Sequence, residues 1–297
     1  MNYSEETNLH LSSFEQLNGT TPCISRSTRL VALIGTAASM LFLTLLICSF
    51  APPKASPKPT LYLIGDSTVK NGKGKGDGGL WGWGNYIGAY FDTTRIRVEN
   101  DALGGTSSRT FQTQGHWEKV LTKIKPGDFV IMQFGHNDNG PLADTARARG
   151  TIKGNGEESQ EVFNPITKKQ EVVHSYGWYM RKFISEAKGK GATTLVCSPI
   201  PRNTWQNGKA NRASADYGQW AAEAAKQGGA YFIDLNKIIA DQYDKEGEEK
   251  VKATYFNTTD HTHTIEAGAK MNAGAVVEGL RGLKKCPLTK YLAKKNS

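Results

Sequence analysis

Short apolar runs alternate with longer stretches of helical period along most of the chain. The runs TLYLIGDS (60–67), IRVENDAL (96–103), DFVIMQFG (128–135), TTLVCSP (193–199) and YFIDL (231–235) each predict a strand, being rich in β-branched or aromatic residues and ending in polar or turn-forming positions. Between them, HWEKVLTKI from His116, YGWYMRKFISEAK from Tyr176 and DYGQWAAEAAK from Asp216 space their apolar residues three and four apart, as an amphipathic helix does. Strands alternating with such helices build βαβ units. The expected fold is therefore α/β, a three-layer αβα arrangement with a five-stranded parallel sheet. Sites in such a sheet form at the carboxyl ends of the strands. Those ends read Gly65-Asp66-Ser67, Asn100-Asp101, Gly135-His136-Asn137-Asp138 and Pro199 onward. The stretch 139–174 has little periodicity and many Gly, Arg and Glu, which predicts a long loop over the same rim, placed to bind substrate.

Before residue 60 the pattern changes. Residues 30–51, LVALIGTAASMLFLTLLICSFA, carry no charge, and a helix of that length rising about 1.5 Å per residue spans a hydrocarbon core of about 30 Å. The expected organisation is a cytoplasmic segment at 1–29, a transmembrane or signal-anchor helix at 30–51, a Pro/Lys linker at 52–59, one folded domain at 60–283 and a basic, solvated tail at 284–297. The apolar run exceeds the roughly 7 to 15 residues of a cleaved signal core. That favours an uncleaved anchor, although Ser49 and Ala51 offer small residues before a cut.

Composition narrows the partners. With 38% hydrophobic and 22% charged residues the chain is neither collagen-like nor disordered. Its net charge is +9; the first 51 residues hold two Arg and three Glu, so the remainder is one charge more basic, at +10. Such an excess favours acidic partners. No stripe of Arg and Lys with interleaved aromatics is present, so no nucleic-acid partner is expected, and the lysines at 284, 285, 290, 294 and 295 read as the tail. Cys197 lies in an apolar run and reads as a buried thiol; a single disulfide to Cys286 stays open.

Three constellations offer chemistry. Gly74, Gly76 and Gly79 match G-x-G-x-x-G, with Glu99 or Asp101 at the distance of a ribose-binding acid. They begin well past the strand end, however, where the pyrophosphate of a dinucleotide would not meet a helix N-terminus. Asp260, His261 and His263 supply metal-ligand types, but no further strong ligand cluster supports them, and neither a metal nor another cofactor is assigned. The third constellation uses more of the chain. Ser67, in a tight turn at the end of the first strand, would expose a hydroxyl at the rim, and such a hydroxyl needs a base and an acid to act as a nucleophile. Asp260 and His263 lie three apart, which brings both side chains to one side of a turn. Gly105, through its N–H, and Asn137, through its carboxamide, stand at other strand ends, where oxyanion donors belong.

YLIGDSTVK, the WGWGNYI run, NDALGGTSSRTF, FGHNDNGP and DHTHTIEAGA, from about residue 60 to 280, together resemble the SGNH, or GDSL-type, hydrolase superfamily and within it the rhamnogalacturonan acetylesterases. The resemblance implies a flavodoxin-like SGNH hydrolase fold and a cofactor-free serine esterase, with nucleophile Ser67, triad partners Asp260 and His263, and an oxyanion hole of the Ser67 N–H, the Gly105 N–H and Asn137. It offers Asp66, Arg109 and His261 as substrate contacts, with Lys70 and Arg202 near the rim. It implies an acetylated acidic polysaccharide as substrate, a monomer, and a domain outside the cytoplasmic membrane, since such a polymer does not enter the cell. An SGNH O-acetyltransferase or lipid esterase, or a glycan-binding domain without activity, remain as alternatives.

Overall fold

The structure, a computed structural model, describes residues 57–294. The expected segment at 1–29, the apolar helix at 30–51 and most of the 52–59 linker lie outside the described residues; within them no helix is long and apolar enough to cross a membrane.

Five parallel strands form the sheet: β1 (Thr60–Gly65), β2 (Arg97–Asn100), β3 (Phe129–Gln133), β4 (Thr193–Cys197) and β5 (Tyr231–Ile233), in the spatial order β2-β1-β3-β4-β5. Leu63 lies opposite Asn100 on β2 and Ile131 on β3, and Ile131 opposite Leu195 on β4. The order reverses between β1 and β3, and at such a switch point the two connections leave in opposite directions and open a crevice beyond the strand ends.

The inner strands β1, β3 and β4 are nearly continuous apolar runs because both faces are covered, whereas the edge strand β2 is polar and half-exposed. Leu61, Leu63, Ile131, Leu195 and Ile233 pack into one core, with residues of α5 (Leu235–Glu246), α6 (Glu248–Tyr255) and α7 (Glu266–Gly282). Tyr62, Ile64, Val130, Met132 and Val196 pack into the other, with residues of α1 (Ser108–Thr113), α2 (His116–Leu121), α3 (Tyr176–Gly189) and α4 (Tyr217–Gly228). Helix α3 shows why the sequence folds this way. Ser175 caps its first turn by accepting the Trp178 N–H, and Tyr179, Met180, Phe183, Ile184 and Ala187 recur at helical spacing on its buried face.

Two expectations change. The stretch 139–174 is not a structureless loop, because Ser159–Asn164 and Lys169–His174 pair as an antiparallel hairpin. Only Asn164 and Val173 are buried in it, and Phe163, Ile166 and Val172 lie exposed among charged residues, so the alternation that marks a half-buried strand is weak. The basic tail is docked as far as it is described: a 3₁₀ turn at Pro287–Tyr291 buries Leu288 and Cys286 against the α7 side of the sheet, and Leu292 bridges to Phe91. Lys284, Lys285, Lys290 and Lys294 remain exposed on its outer side. Cys197 and Cys286 are both buried free thiols, so the open disulfide is not formed.

Candidate active site

The turn after β1 carries Ser67. Asp66, buried beneath it, accepts from the Thr68 N–H (2.9 Å) and hydroxyl (2.7 Å) through Oδ1, while the Asp66 carbonyl accepts from the N–H groups of Val69 and Lys70. The Thr68 hydroxyl in turn accepts from Gln133 Nε2, and Gln133 Oε1 accepts from the Trp83 indole at 2.9 Å. All of these side chains are buried. The turn thus hangs from a buried polar chain inside the apolar core, in which each side chain bonds the next.

His263 reaches Ser67 from the loop between α6 and α7. Asn257 Oδ1 accepts from the N–H groups of Thr259 and Asp260, and Asp260 Oδ1 accepts from those of Thr262 and His263. Two successive side-chain-closed turns therefore set the loop, and Thr264 then pairs with Trp81 to anchor its end. His263 Nδ1 lies 2.7 Å from Asp260 Oδ2, and Nε2 lies 2.8 Å from Ser67 Oγ. An ionised carboxylate only accepts, so Nδ1 carries the proton and Nε2 is left to accept from the serine hydroxyl. Burial works against the Asp260 charge, but the bonds from the His263 N–H and ring and from the Thr262 N–H outweigh it and hold the carboxyl below the usual range.

Ser67 opens into a cavity of 390 Å³ that is also lined by Gly104, Gly105, Asn137 and His263. Gly105 sits at φ +83°, which favours glycine. Neither its N–H nor that of Ser67 has a protein acceptor among the described residues. Asn137 is steadied by its own bond to the Thr106 carbonyl at 2.8 Å. Two unused backbone donors and a fixed carboxamide thus stand beside a hydroxyl bonded to an imidazole, an arrangement able to receive a developing negative charge.

Arg147, Arg149 and Arg202 line the same cavity, and none forms an ion pair with a carboxylate among the described residues. Arg149 donates to the Gly105 carbonyl (3.0 Å), and Arg202 donates to the Thr262 hydroxyl and the His136 carbonyl. Arg147 and Arg149 lie in the 139–174 stretch and flank Ala148, which is buried and holds φ +44°. Substrate contact is expected in that stretch, but neither arginine is singled out by sequence alone; the signal that marks them is a pair of arginines separated by one residue beyond the third strand.

Other expected contacts lie elsewhere. Arg109 is fully buried, and its guanidinium is taken up by both Glu171 oxygens at 2.8 Å and by the carbonyls of Leu142 and Gly150. It fastens the two ends of the 139–174 stretch to α1 and does not reach the cavity, which corrects its expected role. Asp66 is equally buried and shapes the turn from below. His261 is exposed outside the cavity, where its carbonyl accepts from the Asn203 N–H, and Lys70 is bound to the Asn100 carbonyl. Both ring nitrogens of His263 are engaged by Asp260 and Ser67, so the three metal-ligand types at 260–263 do not converge. Gly74 and Gly76 lie in turns and Gly79 closes a short 3₁₀ segment, away from any α-helix N-terminus.

Residues 63–270 match the GDSL-like lipase/acylhydrolase family. The chain belongs to this family. Among curated proteins of the family's kind, it is 30% identical over 222 residues to a rhamnogalacturonan acetylesterase of Emericella nidulans, covering 74% of this chain and 84% of that one. It is 31% identical over 239 residues to a probable rhamnogalacturonan acetylesterase of Bacillus subtilis, covering 79% and 97%. Among solved structures, the YxiM protein of Bacillus subtilis superposes with a TM-score of 0.60 at 26% identity over 77% of this chain, which spans 58% of that longer one. An acetylxylan esterase of Geobacillus stearothermophilus, 18% identical over 76% of this chain and 95% of its own, shares the fold with a TM-score of 0.50. Family membership makes the protein an SGNH serine esterase, and the alternative of a binding domain without activity is set aside.

Below the site two buried carboxyls ionise in opposite directions. Burial opposes a charge on Asp66, but the His136 ring, whose Nδ1 lies 3.4 Å from Oδ2, and the bonds from Thr68 outweigh it and keep Asp66 below the usual range. That contact is electrostatic, since neither atom completes a hydrogen bond. Asp138 ties β3 to α1 by accepting from the Ser108 N–H (3.1 Å) and hydroxyl (2.5 Å). Burial pushes Asp138 up to about 7, and the Asp66 charge adds to the shift against the bonds from Ser108. A carboxyl raised above its unfolded value of roughly 3.9 keeps its proton only in the folded chain, so stability falls as pH rises from about 4 to about 7. Asp138→Asn should remove that loss: its urea midpoint, relative to the parent, should rise across this interval by the equivalent of on the order of 4 kcal/mol. A parent-to-variant difference that stays level with pH would contradict the assignment.

Proposed function

We propose that the protein hydrolyses O-acetyl esters on an acidic polysaccharide of the pectic, rhamnogalacturonan type. The observation that carries the reading is a Ser67–His263–Asp260 relay opening into a cavity ringed by three guanidinium groups without carboxylate partners. The names of the relatives support the same substrate class.

In this reading His263 Nε2 takes the Ser67 proton as Oγ attacks the acetyl carbonyl, and Asp260 steadies the imidazolium. The N–H groups of Ser67 and Gly105 and the Asn137 carboxamide receive the oxyanion. The C–O bond to the sugar breaks, His263 returns its proton to the leaving alkoxide, and acetyl-Ser67 remains. Water, deprotonated by His263, then attacks the acetyl carbonyl, the Ser67 Oγ–acyl bond breaks, and His263 returns the proton to Ser67 Oγ as acetate leaves. The three arginines hold a uronate carboxylate near the ester and raise the local concentration of a polyanion. We also propose that the domain works outside the cytoplasmic membrane, attached through the apolar run at 30–51.

Ser67→Ala should lose nearly all turnover and His263→Ala on the order of 10⁴ in kcat, since the relay acts as a unit. Asn137→Ala should lower kcat by about 10² to 10³ with little change in KM, because the oxyanion bond strengthens as charge develops. Half the parental rate in Ser67→Ala, or an effect of Asn137→Ala on KM alone, would refute these roles. On acetylated rhamnogalacturonan kcat/KM should fall several-fold between low salt and about 0.5 M, where charges are screened within a few ångströms, while a neutral aryl acetate should not respond. A better rate on acetylated xylan, or the same salt response for every substrate, would remove the pectic assignment. Protease added to intact cells or spheroplasts should degrade the domain; protection until the membrane is broken would reverse the topology.

A further inference from the structure

Ser67 and its partners stand at the carboxyl ends of the strands, and the opposite end of the sheet carries a feature that the reaction does not use. The helix ends and connections leading into β3, β4 and β5 hold Lys125, Lys188, Lys190 and Lys226. Lys58 and Arg95 precede β1 and β2, and the segment after α7 adds Lys284, Lys285 and Lys290. Direct bonds join these pieces into one surface. The Gly127 N–H donates to the Gly191 carbonyl (3.0 Å), Lys188 to the Gly228 carbonyl (2.8 Å), the Tyr231 hydroxyl to the Lys285 carbonyl (3.0 Å) and Arg95 to the Lys290 carbonyl (2.8 Å).

All of these cations are exposed, and none forms an ion pair with a carboxylate among the described residues, whereas Lys182, Lys237 and Arg212 on the flanks do. The two acids in these connections are spent. Asp128 is buried and accepts from the N–H groups of Thr60 and Lys125, and Asp92 accepts from Thr94 beside Lys58 and Arg95. A helix dipole favours a cation in the last turn, which accounts for Lys188 and Lys226. It does not account for Lys58, Arg95, Lys284, Lys285 and Lys290, which lie outside the α-helices.

The described chain begins on this same surface, where Lys58 bonds the Thr93 carbonyl and the Pro59 carbonyl accepts the Arg97 N–H. Only residues 52–56 separate Pro57 from the apolar run at 30–51, and a chain of that length reaches about 20 Å at most. From Thr60 to Gly65, β1 then carries the chain on the order of 16 Å toward the site. Exposed charges act over roughly 8 Å at 0.15 M salt, and so short a tether keeps a weakly attracting surface at high effective concentration.

We propose that the cationic end of the sheet docks on anionic phospholipid headgroups of the membrane that holds the 30–51 run, so that the catalytic rim points away from the bilayer. The inference rests on the membrane attachment proposed above and adds the face that meets the lipid.

The full chain is reconstituted into phosphatidylcholine vesicles with or without phosphatidylglycerol and treated with a membrane-impermeant amine reagent, and the labelling rate of each lysine is read by mass spectrometry. It should float with both vesicle types. On anionic vesicles Lys125, Lys190, Lys284 and Lys285 should label at least about fivefold more slowly than on neutral ones, and about 0.5 M salt should erase the difference. Lys73 and Lys75, in the turns near the rim, should not respond. A chain carrying Lys190→Glu, Lys226→Glu and Lys284→Glu should lose the protection of Lys125 and Lys285 while keeping the parental kcat on an aryl acetate, since these exposed positions lie away from the site. Equal labelling on both vesicle types overturns the docking face and leaves the anchor intact; protection supplied only by added polygalacturonate assigns the face to a polymer instead. A chain that floats with neither vesicle type overturns the anchor and this inference with it.

Discussion

The place of Ser67 rests on a line of buried polar bonds from the Trp83 indole through Gln133 and Thr68 to Asp66. A net hydrogen bond contributes only about 1 kcal/mol, but a buried polar group left without a partner costs about 1–3 kcal/mol, so the line stands or fails together. Backbone bonds press a second segment onto the same turn, from the Trp83 N–H to the Thr68 carbonyl and from the Gly84 N–H to the Val69 carbonyl. A Cβ at Gly84 would come within 2.7 Å of that Val69 oxygen, so only glycine allows the approach. Held this way, the turn can leave the Ser67 N–H unpaired, and an unpaired donor already in place needs no reorganisation when charge appears in front of it.

Charge is arranged in layers around this turn. Asp66 and Asp138 lie under it, screened from solvent and kept apart in ionisation. The guanidinium groups stand above it, at the mouth, where their attraction for an anion acts through a wetter medium and over a longer range. Burial and then the neighbouring Arg147 oppose the Arg149 charge and bring its pKa below the usual guanidinium value, against the pull of Asp138, Asp66 and Asp144.

Much of this was legible in the residues. The inner strands read clearly because a parallel sheet covered on both faces demands unbroken apolar runs, which the edge strand Arg97–Asn100 does not need, and the spacing of Asp260 and His263 already implies a turn that sets both side chains to one side. What the chain hid were relations between distant segments. Arg109 in a polar stretch near a strand end looks like a surface cation, yet it is buried because Glu171, 62 positions later, meets it. The hairpin that carries Glu171 has exposed apolar residues and few buried ones, so its two-residue period was blurred. The terminal lysines read as solvated, while Cys286 and Leu288 among them pull the segment onto the core. Arg147 and Arg149 acquire meaning only once the hairpin's base is pinned over the rim.

The two oxygens of Asp260 do different work. One closes the turn through the N–H groups of Thr262 and His263, and the other faces the imidazole. Folding of that loop and the polarisation of its base are thus written in one carboxylate. A side chain without an acceptor oxygen at 260 would loosen the loop and release the imidazole together, whereas asparagine, which closes the preceding turn from 257, would keep the path of the backbone and give up only the charge.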